Sequence, residues 1–404
     1  MKQIFKLIWN NKSRNAILIL ELLGTFLLVF GLYSICTMFY MNFKEPIGFT
    51  YDDVWMIDAS SPEDKQIDQK ILKTLPEYKE IEKATMMEGN TPFMFRYWRQ
   101  IPRYKDVKKP VITFDAEDDF RDIMSLNVVE GRWYGSEDNA SKLRPAVINQ
   151  AFQKDFFKGE NPIGKELELT ERDNVIIVGV IDNFKYGGEL TFTEPQLFIR
   201  TLYREPLDLP YDVRQRPSVW DNNMQGTAGD PIFIKLKKGI GKEFEQQLVT
   251  SITQEFPGTN VIVKSLPEMR ESNMGTRLIP TAVLLVIVVF LVINIFIGLF
   301  GVLWYNISTR SAEIGLRRAI GANTLEIYKQ FITEMLMVGL LGMIPGLLIA
   351  IQFPLLNAFD LDGQVYYVAM ALAFATVSVL IVVCAYLPSR QAALVDPAIA
   401  LRQE

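Results

Sequence analysis

Apolar positions along this chain follow two different patterns. Four runs, Ala16 to Tyr40, Ile279 to Tyr305, Met335 to Phe359 and Val365 to Leu387, are apolar on every side, with Glu21 the one charge inside them. A helix rises about 1.5 Å per residue, so each run is long enough to cross a hydrocarbon layer about 30 Å thick. Between the first and second runs, residues 44–277 carry apolar positions that alternate or recur at helical spacing. The pattern predicts an α-helical membrane protein with four transmembrane helices, and a large extracytoplasmic α+β domain of two subdomains inserted between helices 1 and 2. The expected divisions are 1–43, 44–277 and 278–404.

Within 44–277 the punctuation is specific. Tyr51 to Ala59 reads as a strand, and Ser61 with Pro62, Glu63 and Asp64 reads as a helix start running to about Leu75. Lys83 to Met87, Pro92 to Arg99 and Val111 to Phe114 read as strands. A second unit is expected from about Ala116, where Glu117 to Leu126 looks helical and Val128 to Gly131 turns away. Ala146 to Asn149, Lys165 to Thr170, Asn174 to Ile181 and Gln196 to Thr201 read as strands, with a helix at Gln150 to Phe157. Leu207 to Gly229, rich in Pro, Asp, Asn and Gly, reads as a long irregular loop. Pro231 to Leu236, Lys242 to Phe256 and Asn260 to Val263 then give strand, helix, strand. That trio echoes the start of the region, so its first and last parts are expected to form one subdomain with 116–229 inserted.

Composition agrees with a membrane protein: 49% of the 404 residues are hydrophobic and mean hydropathy is +0.12. Outside Lys44 to Arg277 the cations are Lys2, Lys6, Lys12, Arg14, Arg310, Arg317, Arg318, Lys329, Arg390 and Arg402. All precede the first run, lie between the second and third, or follow the fourth; the loop from Gln352 to Gln364 has Asp360 and Asp362 and no cation. By the positive-inside rule both termini and the Arg310 segment face the cytosol, and 44–277 lies outside. Ala16 to Tyr40 is too long for the apolar part of a signal peptide and no small-residue cleavage site closes it, so it is expected to remain as a span.

The chain has no histidine. Histidine kinases, Ser-His-Asp hydrolases and HExxH metalloproteases need imidazole and are excluded. Cys36 and Cys384 both lie in predicted spans, so no external disulfide framework or CxxC site exists. Gly159, Gly164 and Lys165 match the spacing of a phosphate-binding loop, but Glu166 replaces the Ser or Thr that would hold magnesium, Pro162 removes an N–H, and a strand pattern follows. They are read as a structural turn. Glu21 lies about two helical turns from Arg14 and is read as snorkelling or pairing at the cytosolic interface. Asn294, Gly339, Gly342, Pro345 and Gly346 are read as helix-packing and kink positions.

The stretch Arg310 to Ala322, RSAEIGLRRAIGA, is a polar segment between two apolar runs. Glu313 precedes Arg317 by four residues, the favourable order for a helical ion pair, while Ile307, Ile314 and Ile320 keep an apolar side. The spacing predicts a short amphipathic helix at about 307–322, suited to docking a cytosolic partner.

RSAEIGLRRAIGANTLEIYKQFITE resembles the segment between the second and third spans of MacB/FtsX-like ABC transporter permeases. YLPSRQAALVDPAIALRQE is similar to that family's ending. RPAVINQAFQKDFFKGENPIGKEL and VIIVGVIDNFKYGGEL look like its periplasmic core. The resemblance runs over essentially the whole chain and implies a four-span subunit of the mechanotransmission type, paired with a second permease copy or paralogue. It also implies a separate cytosolic ABC ATPase that docks on the cytosolic helix, where Glu313, Gly315, Arg317, Arg318 and Gly321 are expected to form the contact. The fused ATPase of MacB itself has no counterpart in this sequence, so ATP and Mg are expected on the partner, with no cofactor, metal or catalytic residue in this chain. Other partners implied are a periplasmic adaptor, an outer-membrane channel and membrane lipids, with no nucleic acid. The location implied is the bacterial inner membrane. Efflux or export driven from the periplasmic side is the leading expectation. The alternatives are lipoprotein release from the outer leaflet and regulation of cell-wall hydrolases at division.

Overall fold

The computed structural model describes residues 12–64, 66–94, 99–170, 173–202, 230–308 and 323–393. The chain divides into two compact units, 1–41 with 278–404, and 42–277.

Four long helices, Lys12–Lys44, Leu266–Ser308, Thr324–Ala350 and Gly363–Ala393, include stretches apolar enough to cross a membrane. The core of the membrane unit is built from Leu22, Phe26 and Phe30 of the first helix, Ile295 of the second, Met335, Val338 and Met343 of the third, and Tyr366, Ala373 and Ile381 of the fourth. Glycines of the third helix set how closely its neighbours approach. A Cβ on Gly342 would lie 2.9 Å from the Ile19 carbonyl oxygen and from Leu22 Cβ, and one on Gly346 would lie 2.5 Å from the Phe26 ring. Small residues bring helix backbones together in this way where lipid offers no hydrophobic drive for association. The second helix is different: up to Gly298 most of its large apolar side chains, Val286, Phe290 and Ile297 among them, are exposed.

The second unit, 42–277, is organised by one branched sheet. Its strands are β1 Val54–Ser60, β2 Ile81–Gly89, β3 Arg99–Gln100, β4 Arg103–Tyr104, β5 Val107–Lys108, β6 Val111–Ala116, β7 Val128–Gly131, β8 Arg144–Asn149, β9 Glu166–Thr170, β10 Asp173–Ile181, β11 Gln196–Arg200, β12 Ile232–Leu236 and β13 Asn260–Ser265. The order is β13-β1-β12-β2-β6-β11-β8-β10-β9-β4-β5, with β3 on β6 and β7 on β10. Helix α1, Ile67–Thr74, joins β1 to β2, and α2, Lys242–Glu255, joins β12 to β13. All neighbours in β13-β1-β12-β2 are antiparallel, so two β-α-β units interleave in a split arrangement. Both helices bury one face on it: Ile67, Ile71 and Leu72 from α1, and Phe244, Leu248 and Ile252 from α2, pack with Ile57, Ile232 and Ile234. Each such side chain contributes about 1.5 to 3 kcal/mol of burial.

β2 is shared between the two halves of the sheet. Ile81 to Met86 pair with β12, and Met87 to Gly89 pair with β6. Beyond it lies an aromatic core in which Phe114 stacks on Phe198 at 4.8 Å between ring centres, with Phe120, Phe184 and Trp133 around them. Several edges depart from the sequence pattern. The helix expected from Ser61 starts at Ile67, because the Asp64 side chain accepts from the Gln66 N–H and holds a turn there. The helix expected over Glu117 to Leu126 contracts to Phe120–Met124, because the Glu117 carboxylate is buried as acceptor of the Met86 N–H. Val128 to Gly131, expected as a turn, is a strand on β10.

Candidate functional site

The expected docking residues Glu313, Gly315, Arg317, Arg318 and Gly321 lie outside the described residues, as do 207–229. The described chain on either side is helical, ending at Ser308 and resuming at Thr324.

The phosphate-loop lookalike is fully described. Four of its N–H groups are already engaged: Glu160 donates to Phe157, Ile163 to the Asn161 side chain, Gly164 to the Ile177 carbonyl at 2.8 Å, and Lys165 to Pro162 at 3.1 Å. A phosphate cradle needs those donors free and pointing at the ligand. Here they close a turn that feeds β9, and Lys165 is exposed. Lys165→Ala is therefore expected to leave ATP hydrolysis by an assembled complex within about twofold; a loss of nucleotide affinity in that variant would reverse this reading.

In the membrane unit, Glu21 has its carboxylate 3.4 Å from where a Gly298 Cβ would stand. Its expected partner Arg14 has a side chain outside the described residues. Glu334 is a buried acid that the apolar-run pattern missed: it stands one residue before the third run, inside the helical stretch Ile332–Leu355, and is 7% exposed.

The external unit carries a charge network along β6, β8 and β11. Arg200, 1% exposed, donates through Nε and Nη2 to both oxygens of Asp118, at 2.7 and 2.8 Å, and through Nη1 to Asn139. Arg144 pairs with Asp173 at 2.5 Å. The Asp115 carboxyl faces Glu88 across the β2–β6 ladder and bonds the Thr201 hydroxyl. Asp115 keeps part of its surface, yet the protein packed around its carboxyl desolvates it enough to push its pKa up to about 7; Arg144 opposes the rise, and Glu88 and Asp173 add to it. A carboxyl whose folded pKa is raised stabilises the fold below its ordinary pKa near 3.8, and that contribution is lost as pH rises to about 7. Thermal unfolding of the full chain should show the external unit losing stability from pH 4 to pH 7, and Asp115→Asn should flatten that slope. An unchanged slope in the variant would assign the pH dependence elsewhere.

Packed apolar helices long enough to cross a membrane and a two-part sheet inserted between the first and second define a multi-pass membrane protein with a large external domain. The family model of the MacB-like periplasmic core domain matches residues 23–250, and that of the FtsX-like permease C-terminal matches residues 285–397. The chain belongs to the family of ABC transporter permeases that combine these two parts. It is 24% identical over 336 residues to the macrolide export ATP-binding/permease protein MacB of Bradyrhizobium diazoefficiens, covering 82% of this chain and 48% of that protein. It is 25% identical over 295 residues to MacB of Pasteurella multocida, covering 72% and 43%. It is 24% identical over 327 residues to the probable syringafactin export ATP-binding/permease protein SyfD of Pseudomonas syringae pv. tomato, covering 79% and 46%. The chain thus spans about half the length of the curated relatives it matches.

Proposed function

We propose that this chain is the permease subunit of an ABC transporter, in which a separate cytosolic ATPase drives conformational change of the external domain and so export from the periplasmic side. The observation that carries this reading is the interior of the membrane unit. Described core positions in the spans are filled by Leu22, Phe26, Met343, Ala373 and Ile381, and two helices meet closely at Gly342 and Gly346. Such an interior supports movement of whole helices and, among the described residues, is packed with apolar side chains at these positions.

The ATPase docks through Glu313, Gly315, Arg317, Arg318 and Gly321 on the cytosolic side, and ATP and Mg belong to that partner. A second permease copy or paralogue covers the exposed apolar side of the second helix. The relatives named for the export of macrolides and of syringafactin favour an exported cargo of that kind. The orientation has both termini in the cytosol and 42–277 outside the inner membrane.

The test combines topology with partner capture. In a background lacking Cys36, an impermeant thiol reagent should label Ile101→Cys in cells with permeabilised outer membranes and should leave Ser308→Cys untouched. Affinity purification of the chain should bring down an ABC ATPase. Labelling of Ser308→Cys, or capture without any ATPase, would contradict the reading. A lipoprotein carrier among the captured proteins would redirect it to outer-leaflet extraction.

A further inference from the structure

Residues 183–191, between β10 and β11, touch the external unit's first and last residues, Asn42 and Arg277. At the first, the Lys185 side chain is fully buried, donates to the Asn42 carbonyl at 2.6 Å and pairs with Glu45 at 3.0 Å. That carbonyl belongs to the last turn of the first long helix, where carbonyls lack helical donors and the dipole end is negative. The Asn42 side chain in turn donates to the Leu190 carbonyl, and the Lys185 N–H to Ile47. Gly48 permits this approach: its φ is +84°, and a Cβ there would lie 1.9 Å from the Asn183 carbonyl oxygen.

At the last residue the same loop grips the start of the second long helix. Glu189, 13% exposed in its side chain, pairs with Arg270 at 2.5 Å. A Cβ on Gly187 would lie 3.1 Å from Arg277 Nη2. Tyr186 accepts from the Phe93 N–H, and Phe93 in turn accepts from the Asn273 side chain at 2.8 Å. The loop is equally fixed to the sheet: Phe184 is buried in the aromatic core, and its carbonyl accepts from Gln196 of β11.

A fully buried lysine aimed at a helix-terminal carbonyl, with an exposed carboxylate as its charge partner, is a costly way to fill space. It makes sense as a means of fixing position. We propose that residues 183–191 are a clasp that makes both helix ends and the central strands β10 and β11 move as one body, with Lys185 and Glu189 as its positioning residues. The proposal rests on the reading that ATP hydrolysis moves the external domain, and it names the element that passes the movement on.

The experiment uses the full chain with its ATPase, reconstituted in lipid, and reads amide hydrogen exchange across β8 and β10 with and without trapped nucleotide. Glu189→Arg and Arg270→Glu are each expected to cut the nucleotide-dependent change in exchange at least fivefold while ATP hydrolysis stays within twofold. Combining the two, which restores the pair with charges exchanged, should return the change to within twofold of the wild type. Nucleotide-free exchange matching the wild type shows that the fold is intact; if a reversal variant misfolds, the milder Glu189→Gln and the combined variant carry the comparison. A wild-type change that persists undiminished in the single variants overturns the clasp alone. A wild-type complex that hydrolyses ATP with no change in exchange overturns the coupling reading and the clasp with it.

Discussion

Reversing the charge at Glu313 or Arg317 is expected to release the ATPase and abolish transport, while expression and the external fold stay intact. In the sequence Glu313 precedes Arg317 by four residues, the order that favours a helical ion pair, and Gly315 and Gly321 carry no side chain. Truncating or reversing one member of a desolvated charged contact strands the other. The cost is about 2 to 5 kcal/mol, at least a thirtyfold loss of affinity. Co-purification of the ATPase with Glu313→Arg and Arg317→Glu, beside transport in cells, checks it. Full activity in both would show the segment to be a solvated loop.

In the external unit the largest effect is expected from Asp118→Ala. The Arg200 guanidinium is 1% exposed and loses both of its bonds to that carboxylate, while its bond to Asn139 is among those it keeps. Removing one partner of a buried charged pair costs about 3 to 5 kcal/mol. Adding Arg200→Met should recover much of the loss, because the methionine removes the buried charge and still fills the site. Amide exchange in β6 and β11 of the full chain measures both, as local opening free energies. A single variant within about 0.5 kcal/mol of the wild type would mean that the pair is dispensable.

The spans were legible because nothing but a membrane favours four long runs with a single charge. Strands such as Asp173–Ile181, Gln196–Arg200 and Ile232–Leu236 were legible because β-branched and aromatic residues crowd them. Local signals failed where another group took over the same residues. Glu117 is an ordinary helix former until the Met86 N–H claims its carboxylate, and Ser61 is an ordinary cap until Asp64 makes the turn. The hairpin Arg103 to Lys108 was missed because its tip carries Lys105 at φ +50° in place of the expected Gly or Asn.

The start of the second long helix at Leu266 was readable and overlooked. Ser265 three residues before Glu268 is a capping pattern, and its hydroxyl accepts the Glu268 N–H at 3.2 Å. The apolar run begins only at Ile279, so the polar residues that bear Arg270, Asn273 and Arg277 were not recognised as helix. The clasp was invisible for a related reason. Lys185 reads as a surface lysine in sequence, and only the fold places it against a carbonyl 143 residues away.

The central claim is that nucleotide bound on one side of the membrane changes the conformation of the external domain on the other. Spin labels at Ile101→Cys and Ile262→Cys, both exposed and both in 42–277, report it directly in the reconstituted complex lacking Cys36 and Cys384. The account predicts that the distribution of distances between them shifts when ATP is trapped on the ATPase and returns when nucleotide is removed. Identical distributions in a complex that is hydrolysing ATP would contradict it.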